Sequence, residues 1–394
     1  MFTKNNTFDQ IMHTSPVRRA IGNLFPACWL ERIPKEHYGY TMSRIEKEDR
    51  MDWGAPFISD SFLECANILM DTVRNQRFGF VPLWKGGHPS AAFDPADPPD
   101  KRIPDADANC AEGVWLFTAN PETDSIAFAH LPAASSVPPY PSAAVSAQKR
   151  EQTSARPAVI LCPGGGYEML SAYSEGIQLA QRMERDGGYK AFILHYRITP
   201  NHYPLPQMDL ALAIMHIRAY ADWYRIDPDR VLIVGASAGG HLCASEALLQ
   251  EDLKKEVLAK LRGSNDAQAS AVFADCSARP DGIGLLYPVI SFLSEYHEGS
   301  CQNLIGQTDS LREVLSVERH ITNAYPPTYA FSNADDDAVP VSNTIRLKEA
   351  LAQAGVTHLC EVFASGGHGV GLGYDCSCGA WSEHMLAFFD RLFS

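Results

Sequence analysis

The chain has 394 residues, 45% of them hydrophobic and 20% charged, a globular makeup that excludes collagen-like, long coiled-coil and wholly disordered chains. Its 33 Lys and Arg against 47 Asp and Glu leave a formal charge of −14. A surface that negative repels phosphate backbones and disfavours nucleic acid as a partner. The length suits one large α/β domain with an extension, or two domains.

The first residues, MFTKNNTFDQ, lack the basic patch and apolar stretch of a secretion signal. No window approaches the ~20 apolar residues of a spanning helix. A soluble, cytoplasmic protein without a membrane partner is therefore expected. Ten Cys in this length are too sparse for a disulfide scaffold, so reduced thiols are expected. Cys376 and Cys378 form a C-x-C pair, but without a second paired cluster no metal site is expected.

Residues 1–110 read as a mainly helical extension. Val17 to Leu30 suggests a short helix. Phe57 to Phe78 carries Phe62, Cys65, Ile68, Leu69 and Val73 at helical spacing. Trp84 to Asn109 is rich in Pro, Gly and Asp, which is loop chemistry. Three roles stay open for this extension: capping a pocket, forming a subunit contact in a homo-oligomer, or covering apolar surface.

From residue 111 onward short β-rich runs alternate with helical patterns. The runs are Val114–Ala119, Ile126–Leu131, Ala158–Cys162, Ala191–Tyr196, Arg230–Val234, Ile283–Tyr287, Thr328–Ser332 and Leu359–Phe363. Stretches such as AVIL, AFIL and VLIV suit strands buried on both faces. Helices are predicted over Gln207–Tyr224, Ala238–Leu249 and Thr344–Gly355, and the alternation implies an α/β fold with a mostly parallel eight-stranded sheet. Residues 133–157, low in apolar side chains and rich in Ala, Ser and Pro, read as an exposed linker.

The chemistry concentrates in VLIVGASAGGHL, where Gly235-Ala236-Ser237-Ala238-Gly239 fits G-x-S-x-G between an apolar strand and a helical stretch. Such a nucleophile elbow exposes a Ser hydroxyl on a strained turn, and small neighbours let adjacent segments pass closely. Upstream, the run Cys162-Pro163-Gly164-Gly165-Gly166-Tyr167 follows another apolar strand. Its glycines can present backbone N–H groups to an oxyanion, each donor being worth roughly 3–4 kcal/mol in the transition state. The candidate donors are the amides of Gly165, Gly166 and Ala238. No G-K-[ST] ending follows, which argues against a nucleotide-binding loop.

A Ser hydroxyl needs an adjacent base, and in a strand–elbow–helix setting the chain order is Ser, acid, His. Downstream, PPTYAFSNADDDAVP ends an apolar run in Asp335, Asp336 and Asp337. After the last strand, ASGGHGVGLG sets His368 among glycines. His368 is the candidate base, and the three acids compete to orient it. His241 falls inside the elbow helix, where packing is the better reading, and His195 comes too early in the order.

Six segments carry a resemblance: PGGGY, HYRITPNHYPLPQMDLALA, GASAGGHL, LLYPVIS, PPTYAFSNADDDAVP and GGHGVGL. From about Val114 to the end the chain resembles the α/β-hydrolase superfamily. Within it, the chain is similar to the esterase/lipase group that includes acetylxylan and feruloyl esterases, with kinship to the prolyl oligopeptidase catalytic domain. The resemblance places the acid three residues before the valine of D-x-x-V-P, which is Asp336 here. It implies a carboxylesterase or acetyl esterase with no cofactor, whose substrate is a short-chain ester, acetylated carbohydrates included. A peptidase and a catalytically silent binding protein are the alternatives. The chain departs from the pattern at Cys162, where relatives often have His, and residues before 110 have no counterpart.

Overall fold

The computed structural model describes residues 1–25, 27–48, 58–75, 79–84, 115–118, 155–263, 267–374 and 376–393. Among the described residues there are eight strands: β1 Gly79–Pro82, β2 Trp115–Thr118, β3 Arg156–Cys162, β4 Lys190–His195, β5 Ile226–Ala236, β6 Gly282–Leu286, β7 Thr328–Asn333 and β8 His358–Phe363. They form one sheet in the order β1-β2-β4-β3-β5-β6-β7-β8. The six strands from β4 to β8 in that order run parallel, while β1 and β2 are antiparallel additions at one edge.

The central strands are buried on both faces, and successive side chains alternate between two cores with the period of two that a pleated strand imposes. Ala158, Ile160 and Cys162 of β3 join a core on one face with Phe192, Ile233 and Leu285. That face is covered by the helices Leu205–Ala219 and Ala238–Gly263. Val159 and Leu161 join the opposite core with Ile193, Leu232 and Val234. The helices Gln178–Gly187 and Trp381–Phe393 contribute Met183, Trp381 and Phe389 there.

The N-terminal region is helical, with helices Phe8–Met12, Ser15–Ala20, Ala27–Leu30, Met42–Glu48 and Ser59–Asn75. The last buries Phe62, Cys65, Ala66 and Leu69, one stripe at helical spacing. These side chains share their core with Val159, Leu161 and Ile193 of the sheet. The extension thus shares the apolar core on one side of the sheet.

Several boundaries differ from expectation. Val17–Leu30 is not one helix: a short 3-10 turn at Ile21–Asn23 separates two short helices. Gly22 and Asn23 are weak helix formers, and Pro26 supplies no backbone N–H. β1 falls inside the segment read as helical. The run Ile126–Leu131 lies outside the described residues, as do 85–109 of the loop-like stretch and 133–154 of the linker. Arg156 and Pro157, grouped with that linker by composition, already belong to β3. The elbow helix continues to Gly263, well past Leu249. Among the described residues no helix is long and apolar enough to cross a membrane.

Candidate active site

Parallel pairing brings the functional loops together. Cys162, Gly235, Leu285, Ala330 and Cys360 stand side by side across β3, β5, β6, β7 and β8. A few residues beyond that line, the strand ends release the Gly-rich turn, Ser237, Tyr287, Asp336 and His368 at one edge. In open α/β sheets this carboxyl edge is where ligands bind.

Ser237 occupies the turn between β5 and its helix with φ of 52°, a left-handed conformation costing roughly 1–2 kcal/mol for a residue with a Cβ. The surroundings hold it there. Its N–H donates to the Leu286 carbonyl at 2.9 Å, and its carbonyl accepts from His241 and Val289 N–H groups, each at 3.2 Å. The flanking glycines are required by contact. A Cβ on Gly239 would strike the Cys162 carbonyl oxygen and lie 2.7 Å from that of Pro163. One on Gly164 would lie 2.8 Å from Ser237 Cβ. The Gly-rich turn therefore packs directly against the elbow.

His368 reaches back across 131 residues of chain, with Nε2 2.9 Å from Ser237 Oγ. Its Nδ1 lies 2.7 Å from Asp336 Oδ2. The Asp336 side chain is fully buried and that of His368 is 21% exposed, so the imidazole forms the boundary between protein and solvent. Asp336 Oδ1 accepts the N–H groups of Ala338 and Val339 at 3.0 and 2.9 Å, which fixes the carboxylate and aims its other oxygen at His368. The Tyr287 ring meets the imidazole edge-on, centroids 5.0 Å apart.

The three neighbouring acids separate cleanly. Asp335 is exposed, yet its Oδ1 accepts the N–H groups of both Gly366 and Gly367 at 2.9 Å. It organises the loop that carries the imidazole. Asp337 is exposed and takes no part in these contacts. Of the three, Asp336 alone reaches His368.

Gly165 and Gly166 adopt positive φ of 127° and 65°, conformations that suit glycine. Among the described residues, the N–H groups of Gly165, Gly166 and Ala238 have no acceptor. The turn itself is tied on both sides: the Gly166 carbonyl accepts from Asn303 Nδ2 at 2.9 Å, and Gly164 N–H donates to Glu175 Oε2 at 2.7 Å. Cys162, at the position where His is frequent, is a buried thiol at the end of β3. The adjacent Pro163 carbonyl is held instead by the Tyr196 hydroxyl at 2.6 Å.

Two other histidines lie near the site. His241 is buried between the Tyr167 hydroxyl and the Leu315 carbonyl, 2.9 Å from each. Burial pushes it down to about 4, so it is a neutral packing residue. His297 caps the helix Glu298–Ile305 by accepting Ser300 N–H. A Cβ on Gly166 would lie 3.7 Å from its Cε1. Burial, and then the proximity of His368, lower its pKa. Sequence reasoning gave no role to His297, Asn303, Glu175 or Tyr287. Tyr287 lies within LLYPVIS and Glu175 follows the glycine run closely, but neither has a signature readable without contacts.

A Ser on a strained elbow, an imidazole within proton-transfer reach and a buried carboxylate behind it define, together with the sheet, an α/β-hydrolase of the esterase/lipase type. The chain belongs to the BD-FAE family, whose model matches residues 146–351. It is similar to endo-1,4-beta-xylanase B of Butyrivibrio fibrisolvens, at 32% identity over 58% of this chain and 34% of that one. It is also similar to an acetylxylan esterase of Xylanibacter ruminicola, at 30% identity over 55% and 41%. The chain thus spans about a third to two-fifths of these relatives. Among solved structures it resembles an acetyl ester-xyloside bifunctional hydrolase from Caldicellulosiruptor lactoaceticus. That match has a TM-score of 0.56 and 27% identity, over 80% of this chain and 96% of that one. A carboxylesterase-like structure from Lactobacillus plantarum, at 21% identity and a TM-score of 0.51, shares the fold.

Proposed function

We propose that the protein is a serine carboxylic-ester hydrolase working through an acyl-enzyme. His368 Nε2 takes the Ser237 proton as Oγ attacks the ester carbonyl, and Asp336 holds the imidazole in the Nδ1–H tautomer and stabilises its cation. The carbonyl oxygen becomes an oxyanion received by the amides of Gly165, Gly166 and Ala238, which arrive preorganised. Imidazolium protonates the leaving alcohol. The neutral imidazole then draws a proton from water as it attacks the acyl carbonyl, and returns that proton to Ser237 Oγ as the C–Oγ bond breaks and the acid leaves. These steps are proton and acyl transfers and call for no metal or organic cofactor.

The observation that carries this reading is the unbroken chain Asp336–His368–Ser237, at 2.7 and 2.9 Å. Short acyl groups, above all acetyl esters on carbohydrates, are the substrate class. Support comes from similarity to proteins named acetylxylan esterase and acetyl ester-xyloside bifunctional hydrolase. The test is turnover of p-nitrophenyl acetate and acetylated xylose by the wild type and Ser237→Ala. Wild-type release of acetate that the variant lacks supports the reading, and equal rates in both would overturn it.

A further inference from the structure

One buried carboxyl near the site has no part in the mechanism above. Glu175 lies in the π-helical turn Tyr173–Ile177, is 4% exposed, and bridges two loops that approach Ser237 from different strands. Its Oε2 accepts Gly164 N–H at 2.7 Å, in the turn that contains Gly165 and Gly166. Its Oε1 accepts the Tyr287 hydroxyl at 2.9 Å. That hydroxyl in turn accepts Gly371 N–H at 3.1 Å, three residues beyond His368. The same turn touches the His368 loop a second time, since a Cβ on Gly371 would lie 3.2 Å from the Ser174 carbonyl oxygen.

The direction of these bonds favours the carboxylate form. Gly164 N–H can only donate. Tyr287 accepts from Gly371, so its own hydrogen goes to Glu175. Both carboxyl oxygens are then acceptors, as in a carboxylate. A protonated Glu175 would leave either the Tyr287 hydrogen or its own without an acceptor in this network. Burial pushes the Glu175 carboxyl up, and the Gly164 N–H, the Tyr287 hydroxyl and the His368 charge each oppose that push. The groups facing His368 are Ser237, Asp336, Tyr287 and His297, with Glu175 behind Tyr287. Those facing Glu175 are Tyr287, His368 and the buried Tyr196.

Resting on the ester-hydrolase reading, we infer that Glu175 is a positioning residue. As a buried carboxylate it locks the oxyanion turn to the His368 loop and adds a second negative charge, beyond Asp336, that favours the imidazolium formed during acyl transfer. A π-helical turn at this place fits the tendency of such turns to mark functional sites.

The test is the pH profile of kcat/KM for acetyl-ester hydrolysis by wild type, Glu175→Gln and Tyr287→Phe, with circular dichroism to verify folding. The acid limb of that profile reports the base of the free enzyme. Glu175→Gln keeps size but removes charge. It is expected to lower kcat roughly 10- to 100-fold, the scale of a lost charge-assisted hydrogen bond, with little change in KM. Its acid limb moves to lower pH, because an imidazolium with one fewer anion nearby releases its proton more readily. Tyr287→Phe, which cuts the tie to Gly371 and keeps the carboxylate, lowers kcat with a smaller displacement of the limb. A folded Glu175→Gln whose acid limb coincides with wild type overturns the inference while the ester reading stands. Where Glu175→Gln does not fold, Tyr287→Phe decides, and an unchanged kcat overturns it. A wild type with neither ester turnover nor fluorophosphonate labelling of Ser237 overturns the ester reading, and this inference with it.

Discussion

Asp336 and Asp335 are consecutive residues that hold the same histidine by different handles. Asp336 Oδ2 binds the imidazole of His368 at 2.7 Å. Asp335 Oδ1 grips the backbone just before it, through Gly366 and Gly367 at 2.9 Å each. One meets the imidazole and the other meets the backbone of its loop.

That division predicts unequal losses. Asp336→Asn places an amide against Nδ1 and favours the wrong tautomer, which costs on the order of 10⁴-fold in kcat. Asp335→Asn keeps an acceptor for the glycine amides and is expected to cost about tenfold or less. Steady-state ester hydrolysis by the two variants checks the ratio. Equal losses would contradict the assignment.

His241 links acid to stability. Its folded value is pushed from 6.5 down to about 4 by burial, so the stability it confers is complete above 6.5. It is lost as pH falls toward 4, where the unfolded chain takes up a proton that the folded protein refuses. Between pH 7 and pH 5 this amounts to about 2 kcal/mol. Urea unfolding of wild type and His241→Gln at both pH values should show wild type losing about that much more than the variant.

Gly239 lies where the elbow helix passes the end of β3. Because the neighbours of a new Cβ there are the backbone carbonyls of Cys162 and Pro163, no side chain can yield. Gly239→Ala is expected to cost about 2 kcal/mol or more. Gly39→Ala, with nothing within 4 Å of its Cβ position, should stay within about 0.5 kcal/mol of wild type. Thermal denaturation compares them.

The extension contributes Phe62, Cys65 and Leu69 to a core shared with β3 and β4. Phe62→Ala should therefore destabilise by about 3–5 kcal/mol. Deleting residues 1–75 would expose that shared core. The expected result is loss of soluble, folded protein, with no altered acyl-chain preference in whatever remains active. A soluble truncate that prefers longer acyl chains would point instead to a roof over the site. A polar tie accompanies the apolar one: the Tyr173 hydroxyl, in the turn that carries Glu175, donates to Glu64 Oε2 of the extension at 2.6 Å.

The parallel strands were legible because burial on both faces writes itself as continuous runs such as VILC in β3 and AFIL in β4. The elbow was legible because its steric demands admit few residue types at Gly235 and Gly239. β1 was not: four residues at the sheet edge, Gly79–Pro82, are too few to show a period. The break in the first helices was written in Gly22 and Pro26 but outweighed by apolar spacing. Glu175 was illegible for a deeper reason. Its role consists of bonds to Gly164 and to Tyr287, 112 residues away, and nothing local distinguishes it from any other helical glutamate.

Ester hydrolysis by this site requires Ser237 to be an activated nucleophile. Intact-mass and peptide-mapping mass spectrometry after fluorophosphonate treatment measures this directly. The prediction is a single adduct on Ser237, formed rapidly by wild type and slowed by on the order of 10³-fold or more in His368→Ala, which lacks the base. An unmodified Ser237 in folded wild-type protein, or labelling at the same rate without His368, would contradict it.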